Sequence, residues 1–236
     1  VPELLHIEAE QYSEQWWNAR MGIPTCSEFH TVLAQGRKKG EPSVTRAKYM
    51  RRLAAERLWG VRTEPYTNPH LERGRAMEGE ACDFYAFSRD CEPKACGFFR
   101  LGDKGGSPDR LIADDGILSV KTALPDILID YILKDQFPLE HKAQAQGELW
   151  ITGRAWLDII IYWPGCTPFI KRCEPDPQYI LNLAEEIERF NYELDEIVQR
   201  VRRYGAPSTL KADLQASLIA HDAMLAQAQE APPWTP

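Results

Sequence analysis

Apolar positions along the chain follow two periods, and the switch between them divides it. Trp16, Trp17, Met21 and Ile23 give the first 35 residues helical character, with Thr25 and Ser27 as candidate N-caps for a segment from Phe29 to Leu33. Gly-Arg-Lys-Lys-Gly-Glu-Pro at 36–42 interrupts that pattern and reads as a loop. Helical spacing resumes over about 45–59 and about 70–88, where Met77, Ala81, Phe84 and Tyr85 recur. After Pro93 the period shortens. Residues 97–101, 110–113 and 117–122 read as strands of one sheet, the last two joined by the hairpin signal Asp114-Asp115-Gly116. A helix over about 139–150 leads into a branched and aromatic strand at 155–163. Tyr179, Ile180, Leu183, Ile187, Phe190, Leu194, Ile197 and Val201 then mark a long amphipathic helix to about Tyr204, which Gly205 ends. The pattern predicts a mixed α/β (α+β) fold, a small central mixed sheet flanked by helices. It also predicts one domain over 1–205, followed by a C-terminal helical tail at 206–236 with no role assigned.

At 236 residues and 44% apolar content, the chain can bury one substantial core. Its densest apolar stretch, Ala155 to Trp163, carries Asp158 and falls well short of the roughly 20 residues that span a bilayer. The start, Val-Pro-Glu-Leu-Leu-His, shows no basic region followed by an apolar run, so the expected location is the cytoplasm. The six cysteines, Cys26, Cys82, Cys91, Cys96, Cys166 and Cys173, show no C-x2-C spacing and are expected as reduced, mostly buried thiols. A net charge of -7, taken alone, argues against a nucleic-acid partner. Its distribution argues otherwise, because residues 37–62 hold nine basic side chains against two acidic ones. Arg37, Lys38, Lys39, Arg51 and Arg52 form a patch suited to track a phosphate backbone, with a solvated helix face as the plainer alternative.

Candidate chemistry gathers on the hairpin. Ser107-Pro108-Asp109 opens one strand, and Lys121 lies twelve residues later on its partner, so the two ends meet. Alternation sets positions 119 and 121 on one face, directing Asp109, position 119 and Lys121 at a common point. Phosphodiester cleavage uses such a set, with carboxylates to hold a divalent ion and an ammonium to orient or acidify water and offset developing charge. The backbone carbonyl of Val120 offers a further hard oxygen ligand. Taken alone, Pro-Asp is equally a turn and Lys121 an exposed strand lysine.

The hairpin resembles the PD-(D/E)xK nuclease core, a restriction-endonuclease-like fold. Three further segments resemble phage lambda-type alkaline exonucleases, the YqaJ-like viral recombinases: Trp17-x2-Arg20-x-Gly22-x2-Thr25-x-Ser27-Glu28, Gly74-Arg75-x2-Glu78-x2-Ala81 and His141-x2-Gln144-x-Gln146-x3-Trp150. The four occur in the family's order between about residues 9 and 163. That resemblance implies a processive, Mg²⁺-dependent (or Mn²⁺-dependent) 5′ to 3′ exonuclease on double-stranded DNA ends, using two ions and leaving 3′ tails for recombination. It implies Glu78 and Asp109 as metal ligands, Lys121 as the residue assisting the attacking water, and Gln144 as the one positioning it. Arg20, Ser27 and Ser107 would grip the terminal 5′ phosphate. The family further implies a ring-shaped homotrimer, a single-strand annealing partner, and a phage or prophage origin in a bacterial host. Structural alternatives stand beside each role: Glu78 facing solvent, Arg20 paired with a carboxylate, Ser27 capping a helix, and His141 packing. Gln144 and Gln146 cannot share a helix face, so one at most faces the site.

Two positions depart from the family. Ser119 stands where an acid is expected, and Ile127 where a second phosphate-gripping arginine is expected. Ser119 is read as an introduced inactivating change, as the mark of an inactive DNA-end-binding relative, or as a loss compensated from elsewhere. Glu140, Gln144 and Glu148 form a helical stripe, from which Glu148, ahead of Glu140, would supply the missing carboxylate. Asp114 and Asp115, at the hairpin tip, are poorer candidates. Beside the exonuclease reading stand a DNA-end-binding protein without cleavage and, third, an endonuclease of the same fold.

Overall fold

Gly116–Thr122 alternates so that Ile117, Ser119 and Lys121 face one way and Leu118 and Val120 the other, and this strand is the centre of the molecule. The computed structural model describes residues 3–36, 38, 41, 43–62 and 69–204, with the side chains of all of these except 69–73 and 75. In chain order the elements are β1 (Leu4–Ile7), α1 (Glu14–Arg20), a 3-10 turn (Cys26–Glu28), α2 (Phe29–Val32), α3 (Val44–Trp59) and α4 (Pro69–Arg89). There follow β2 (Pro93–Lys94), β3 (Phe98–Leu101), β4 (Lys104–Gly106), β5 (Arg110–Ile112) and β6 (Gly116–Thr122). The chain continues with α5 (Pro125–Lys134), α6 (Leu139–Thr152), β7 (Trp156–Tyr162), β8 (Phe169–Cys173) and α7 (Pro177–Arg202). Val1–Val198 packs as one unit, beyond which the described residues only complete α7 and reach Tyr204. The expected stop at Gly205 and the expected tail at 206–236 lie outside the described residues.

Five strands form a mixed sheet in the order β2-β5-β6-β7-β8. β6 runs antiparallel to β5 and parallel to β7, with Ser119 opposite Ile159 and Lys121 opposite Ile161. A parallel pair needs a crossover, and α5 and α6 supply it. They cover the Ile117 face, where Leu128, Ala145 and Leu149 pack on Ile117, Ile159 and Ile161. On the opposite face Ala81, Cys82 and Tyr85 of α4 pack on Leu118 and Ile160. The mixed sheet flanked by helices is as expected, with one correction: residues 97–101 do not join it. They pair instead with β1 and β4 in a separate three-stranded antiparallel sheet. Residues 4–7, read as part of a helical start, are therefore a strand. The sequence also gives no warning of α5, β2, β4 or β8.

Caps explain several helix ends. The side chains of Ser13 and Ser43 accept the amides of Trp16 and Arg46 at 3.3 Å, starting α1 and α3. Thr25 and Ser27, the expected caps, do otherwise: Thr25 flanks the 3-10 turn without a side-chain cap bond and Ser27 lies within that turn. All six cysteines are free, three of them buried. No described helix is long and apolar enough to cross a membrane.

Helix α6 approaches the 3-10 turn and α2 closely because Gly147 has no side chain. A Cβ there would lie 2.5 Å from Cδ2 of Phe29, which is fully buried, and 3.3 Å from Sγ of Cys26. Gly147→Ala is expected to destabilise the protein by about 1–3 kcal/mol, the usual range for overpacking a tight core. Urea denaturation checks this, and an unchanged midpoint would show that the interface tolerates the methyl group.

Candidate active site

Asp109 immediately precedes β5, and its carboxylate turns across the hairpin to the central strand. Oδ2 accepts the Val120 amide at 2.7 Å and the Ser119 hydroxyl at 3.4 Å, and lies 4.0 Å from Nζ of Lys121. The meeting of these strand ends read from the sequence is therefore present. Ser119 itself is buried, and its hydroxyl points to Asp109.

The Ser119–Lys121 face is the face that α6 covers, so α6 contributes the next layer. A cavity of about 300 Å³ is walled by Asp109, Lys121, Gln144 and Glu148 together with Arg20, Ser27 and Ser107. Seven residues singled out from the sequence thus share one space. Gln144 donates to Oε1 of Glu148 at 2.8 Å. Gln146 faces away, donating to the Glu174 carbonyl and accepting the Asp176 amide, both at 2.8 Å. Only one of the two glutamines faces the site, as helix geometry requires.

Glu148 is 1% exposed, and its Oε2 is buried without a hydrogen-bond partner. Burial first, and then the charge of Asp109, push its carboxyl up to about 7 against the opposing effects of Gln144 and Lys121. Glu140, the other acid of the stripe, is exposed and accepts from the Tyr131 hydroxyl at 2.5 Å, which lowers its pKa. His141 is half-buried, and burial followed by repulsion from Lys121 holds it down at about 4, leaving it neutral.

Glu78 stands apart from this wall. Helix α4 brings it to Arg110, whose Nη1 lies 2.8 Å from its carboxylate, and it lines a neighbouring cavity with Cys96 and Gly97. It remains within electrostatic reach of the cluster: burial and then Asp109 raise its pKa, while Arg110 and Lys121 lower it.

Arg20, Ser27 and Ser107 line the same cavity. The Arg20 guanidinium lies 4.3 Å from the Trp16 ring centre and 5.0 Å from that of Trp17, with one long contact of 3.4 Å to Thr25 Oγ1. Among the described residues it has no carboxylate within ion-pair distance, Glu56 and Glu28 acting on it only through space. The Ser27 hydroxyl lies 3.3 Å from Thr25 Oγ1. Ser107 accepts from Trp16 Nε1 at 2.9 Å and donates to the Gly97 carbonyl at 2.7 Å, joining α1 to the strands. Gln11, Tyr12, Trp16, Thr25, Cys26 and Phe98 complete the cavity. Sequence reasoning gives these no part in the site, because only the fold brings residues 11–12 and 98 to it; the signature Thr25 is the one with a usable signal.

Much of the basic patch is neutralised. Arg52 pairs with Glu28 at 2.9 Å and Lys38 with Glu41 at 3.6 Å, while Arg46 and Arg57 pair with Glu193 and Asp195, both at 2.5 Å. Arg51 is exposed. Arg37 and Lys39 lie outside the described residues, as does the side chain of Arg75.

Among the described residues no group of three or more His, Cys, Asp and Glu forms a ready-made metal cage. Magnesium does not require one, since it is commonly held by one or two carboxylates, water and substrate phosphate. Asp109 and the unpartnered carboxylate oxygen of Glu148, on one cavity, fit that smaller requirement.

Comparison with known proteins identifies the family and the fold. Residues 15–155 match the model of the YqaJ-like viral recombinase domain. The fold is similar to LHK-Exo, an alkaline exonuclease from Laribacter hongkongensis, with a TM-score of 0.74 and 26% identity over 82% of this chain and 98% of that one. The same figures hold for LHK-Exo in complex with dAMP. A phage-related exonuclease from Haemophilus somnus 129PT shares the fold, with a TM-score of 0.59 and 14% identity over 78% of this chain and 99% of that one. No curated protein matches the sequence.

The buried acid sets a pH dependence of stability. A carboxyl raised in the folded state binds its proton more tightly there than in the unfolded chain, so its ionisation opposes folding. The penalty begins as pH rises past the ordinary value of 4.5 and is complete above about 7. In chelator, Glu148→Gln is expected to stabilise the protein at pH 8 by on the order of 3 kcal/mol and to add almost nothing at pH 4. Urea unfolding at the two pH values checks it, and equal effects at both would contradict the assignment.

Proposed function

The chain belongs to the YqaJ-like viral recombinase family, and on that premise we propose that it is a metal-dependent 5′ to 3′ exonuclease acting on double-stranded DNA ends. One observation carries the reading: the Asp109–Lys121 cluster and the Arg20, Ser27 and Ser107 group face a single cavity. Cleavage chemistry thus adjoins donors suited to a terminal phosphate, which is what a nuclease working from an end requires. The similarity to an alkaline exonuclease, itself a protein that binds dAMP, supports the same direction.

In this reading Asp109 would hold the ion, with the Val120 carbonyl as a hard oxygen ligand and Glu78 joining on release from Arg110. The preferred ion is Mg²⁺, with Mn²⁺ as a substitute and two ions per site. When bound, the metal would polarise the phosphate and lower the pKa of the attacking water. Lys121 orients that water and offsets negative charge developing on phosphate oxygens. Gln144 positions the water through its amide. Arg20 and the hydroxyls of Ser27 and Ser107 grip the 5′ phosphate; the guanidinium sits against the rings of Trp16 and Trp17, which offer no acceptor to compete for its donors. The 3′-tailed product would serve recombination, with a single-strand annealing protein as partner, in the cytoplasm of a bacterial host carrying the phage or prophage.

A ring-shaped homotrimer around the duplex would make the reaction processive. It would also reconcile a net charge of -7 with DNA binding by concentrating basic residues in the channel. The catalytic domain would comprise residues 1–205, with 206–236 as an appended tail. A second reading, an end-binding protein that does not cut, is favoured by one observation: the strand position next to Asp109 holds a hydroxyl in place of an acid.

Linear 5′-phosphorylated duplex is expected to yield mononucleotides with Mg²⁺ and none with chelator, while closed circles stay intact. Asp109→Asn and Lys121→Ala should each lower that rate by about a hundredfold or more. Retained end binding without cleavage would establish the second reading, and cut circles would show an endonuclease.

Phosphate recognition is checked separately. Arg20→Ala should reduce the preference for 5′-phosphorylated over 5′-hydroxyl ends by about tenfold, the worth of one charge-assisted hydrogen bond. An unchanged preference would move the phosphate grip elsewhere.

A further inference from the structure

We propose that the acid missing from strand position 119 has moved to helix α6, where Glu148 serves as the second anionic ligand of the metal site. The inference rests on the nuclease reading above, since only that chemistry asks for a second carboxylate here.

The direction of the strand is the first argument. Ile117, Ser119 and Lys121 share a face, and Ile117 packs against Ala145 and Leu149, so this is the face that α6 covers. A carboxylate at 119 would point into the layer that α6 occupies. Because Ser119 stops short and turns its hydroxyl to Asp109, the acid in that layer comes from the helix. Glu148 shares the cavity wall with Asp109 and Lys121.

A comparison within the molecule is the second argument. Asp158 is 2% exposed, and the fold satisfies it in full: Arg172 donates twice, at 2.8 and 2.9 Å, and Tyr85 once, at 2.7 Å. Glu148 is just as buried, yet it receives one amide bond from Gln144 and keeps Oε2 unpartnered. An ionised carboxylate left so poorly compensated destabilises a protein, and a purely structural residue here would be an apolar one. The stem of Glu148 passes beside Gly106, and its Oε1 is held by the Gln144 amide at 2.8 Å.

Charge is the third. While Arg110 neutralises Glu78, Asp109 and Lys121 sum to zero and hold a divalent ion poorly, whereas a carboxylate already in the cavity wall restores an anionic site. Glu140 cannot supply it, being exposed and engaged by Tyr131.

The test compares wild type, Glu148→Gln, the double variant Ser119→Glu/Glu148→Gln, and Glu140→Gln as a control. Mn²⁺ binding is titrated by electron paramagnetic resonance without DNA, and Mg²⁺-dependent degradation of linear duplex is followed in parallel. Glu148→Gln should weaken Mn²⁺ binding at least tenfold and nearly abolish cleavage. Glu140→Gln should match wild type, and the double variant should regain Mn²⁺ affinity together with part of the cleavage. Wild-type Mn²⁺ affinity in Glu148→Gln overturns the inference, and so does a loss that the double variant fails to recover. If wild type degrades DNA while Glu148→Gln matches it in both measurements, the inference fails and the nuclease reading stands. If wild type binds Mn²⁺ through Glu148 yet degrades no DNA, the nuclease reading fails and the ligand assignment stands.

Discussion

Oδ2 of Asp109 accepts the Val120 amide at 2.7 Å, and the geometry of the candidate site hangs on that bond. It ties the residue that opens β5 to the far end of β6, so the carboxylate cannot swing away from Lys121. The same bond depends on the hairpin register, which sets Arg110 opposite Leu118. That register is in turn held by packing on both faces of β6, because a slip of one residue would send Ile117 and Leu118 to the wrong sides. A polar contact of one atom pair is thus maintained by an apolar core extending through α4, α5 and α6.

The crossover between β6 and β7 gives the site its second wall. Parallel pairing obliges the chain to leave the sheet and return, and α6 returns across the face that carries Lys121. Chemistry from the strand and chemistry from the helix are therefore brought together by topology alone. The Arg20 side of the cavity arrives by another route, through Trp16 and Ser107, whose 2.9 Å bond joins α1 to the segment preceding Asp109. Arg20 reaches the cavity half-buried, and desolvation lowers its pKa from the ordinary value. A guanidinium keeps its charge under such desolvation where an ammonium readily loses it.

What the sequence made legible follows from locality. The hairpin end, the helical stripe holding Gln144 and Glu148, and the segment from Trp17 to Glu28 are each encoded within a dozen residues or so. Period and spacing suffice for them. Strand β1 is not legible, because four residues with no buried member carry no alternation. Helix α5 escapes for a different reason: it has no side-chain cap, and Ile127, Ile129 and Leu133 are exposed while Leu128 is buried, which blurs its apolar stripe. The separation of β3 from the main sheet depends on its pairing with β1, more than ninety residues away in the chain. The neutralisation of the basic patch is equally non-local, since the partners of Arg46 and Arg57 sit on α7.

These observations explain why local charge counting overstates the positive surface while local motif reading finds the site. Ion pairs between distant elements are dictated by packing, which a window of sequence does not contain. A buried carboxylate with one oxygen left unpartnered is different, because burial and the charge of Asp109 oppose its ionisation and Gln144 and Lys121 compensate only in part. Asp158 shows that this fold can satisfy a buried acid when the acid serves only the fold. The open oxygen of Glu148 therefore marks the place where the structure gives up stability. It does so beside Asp109, the residue that the hairpin register and both core faces act to hold still.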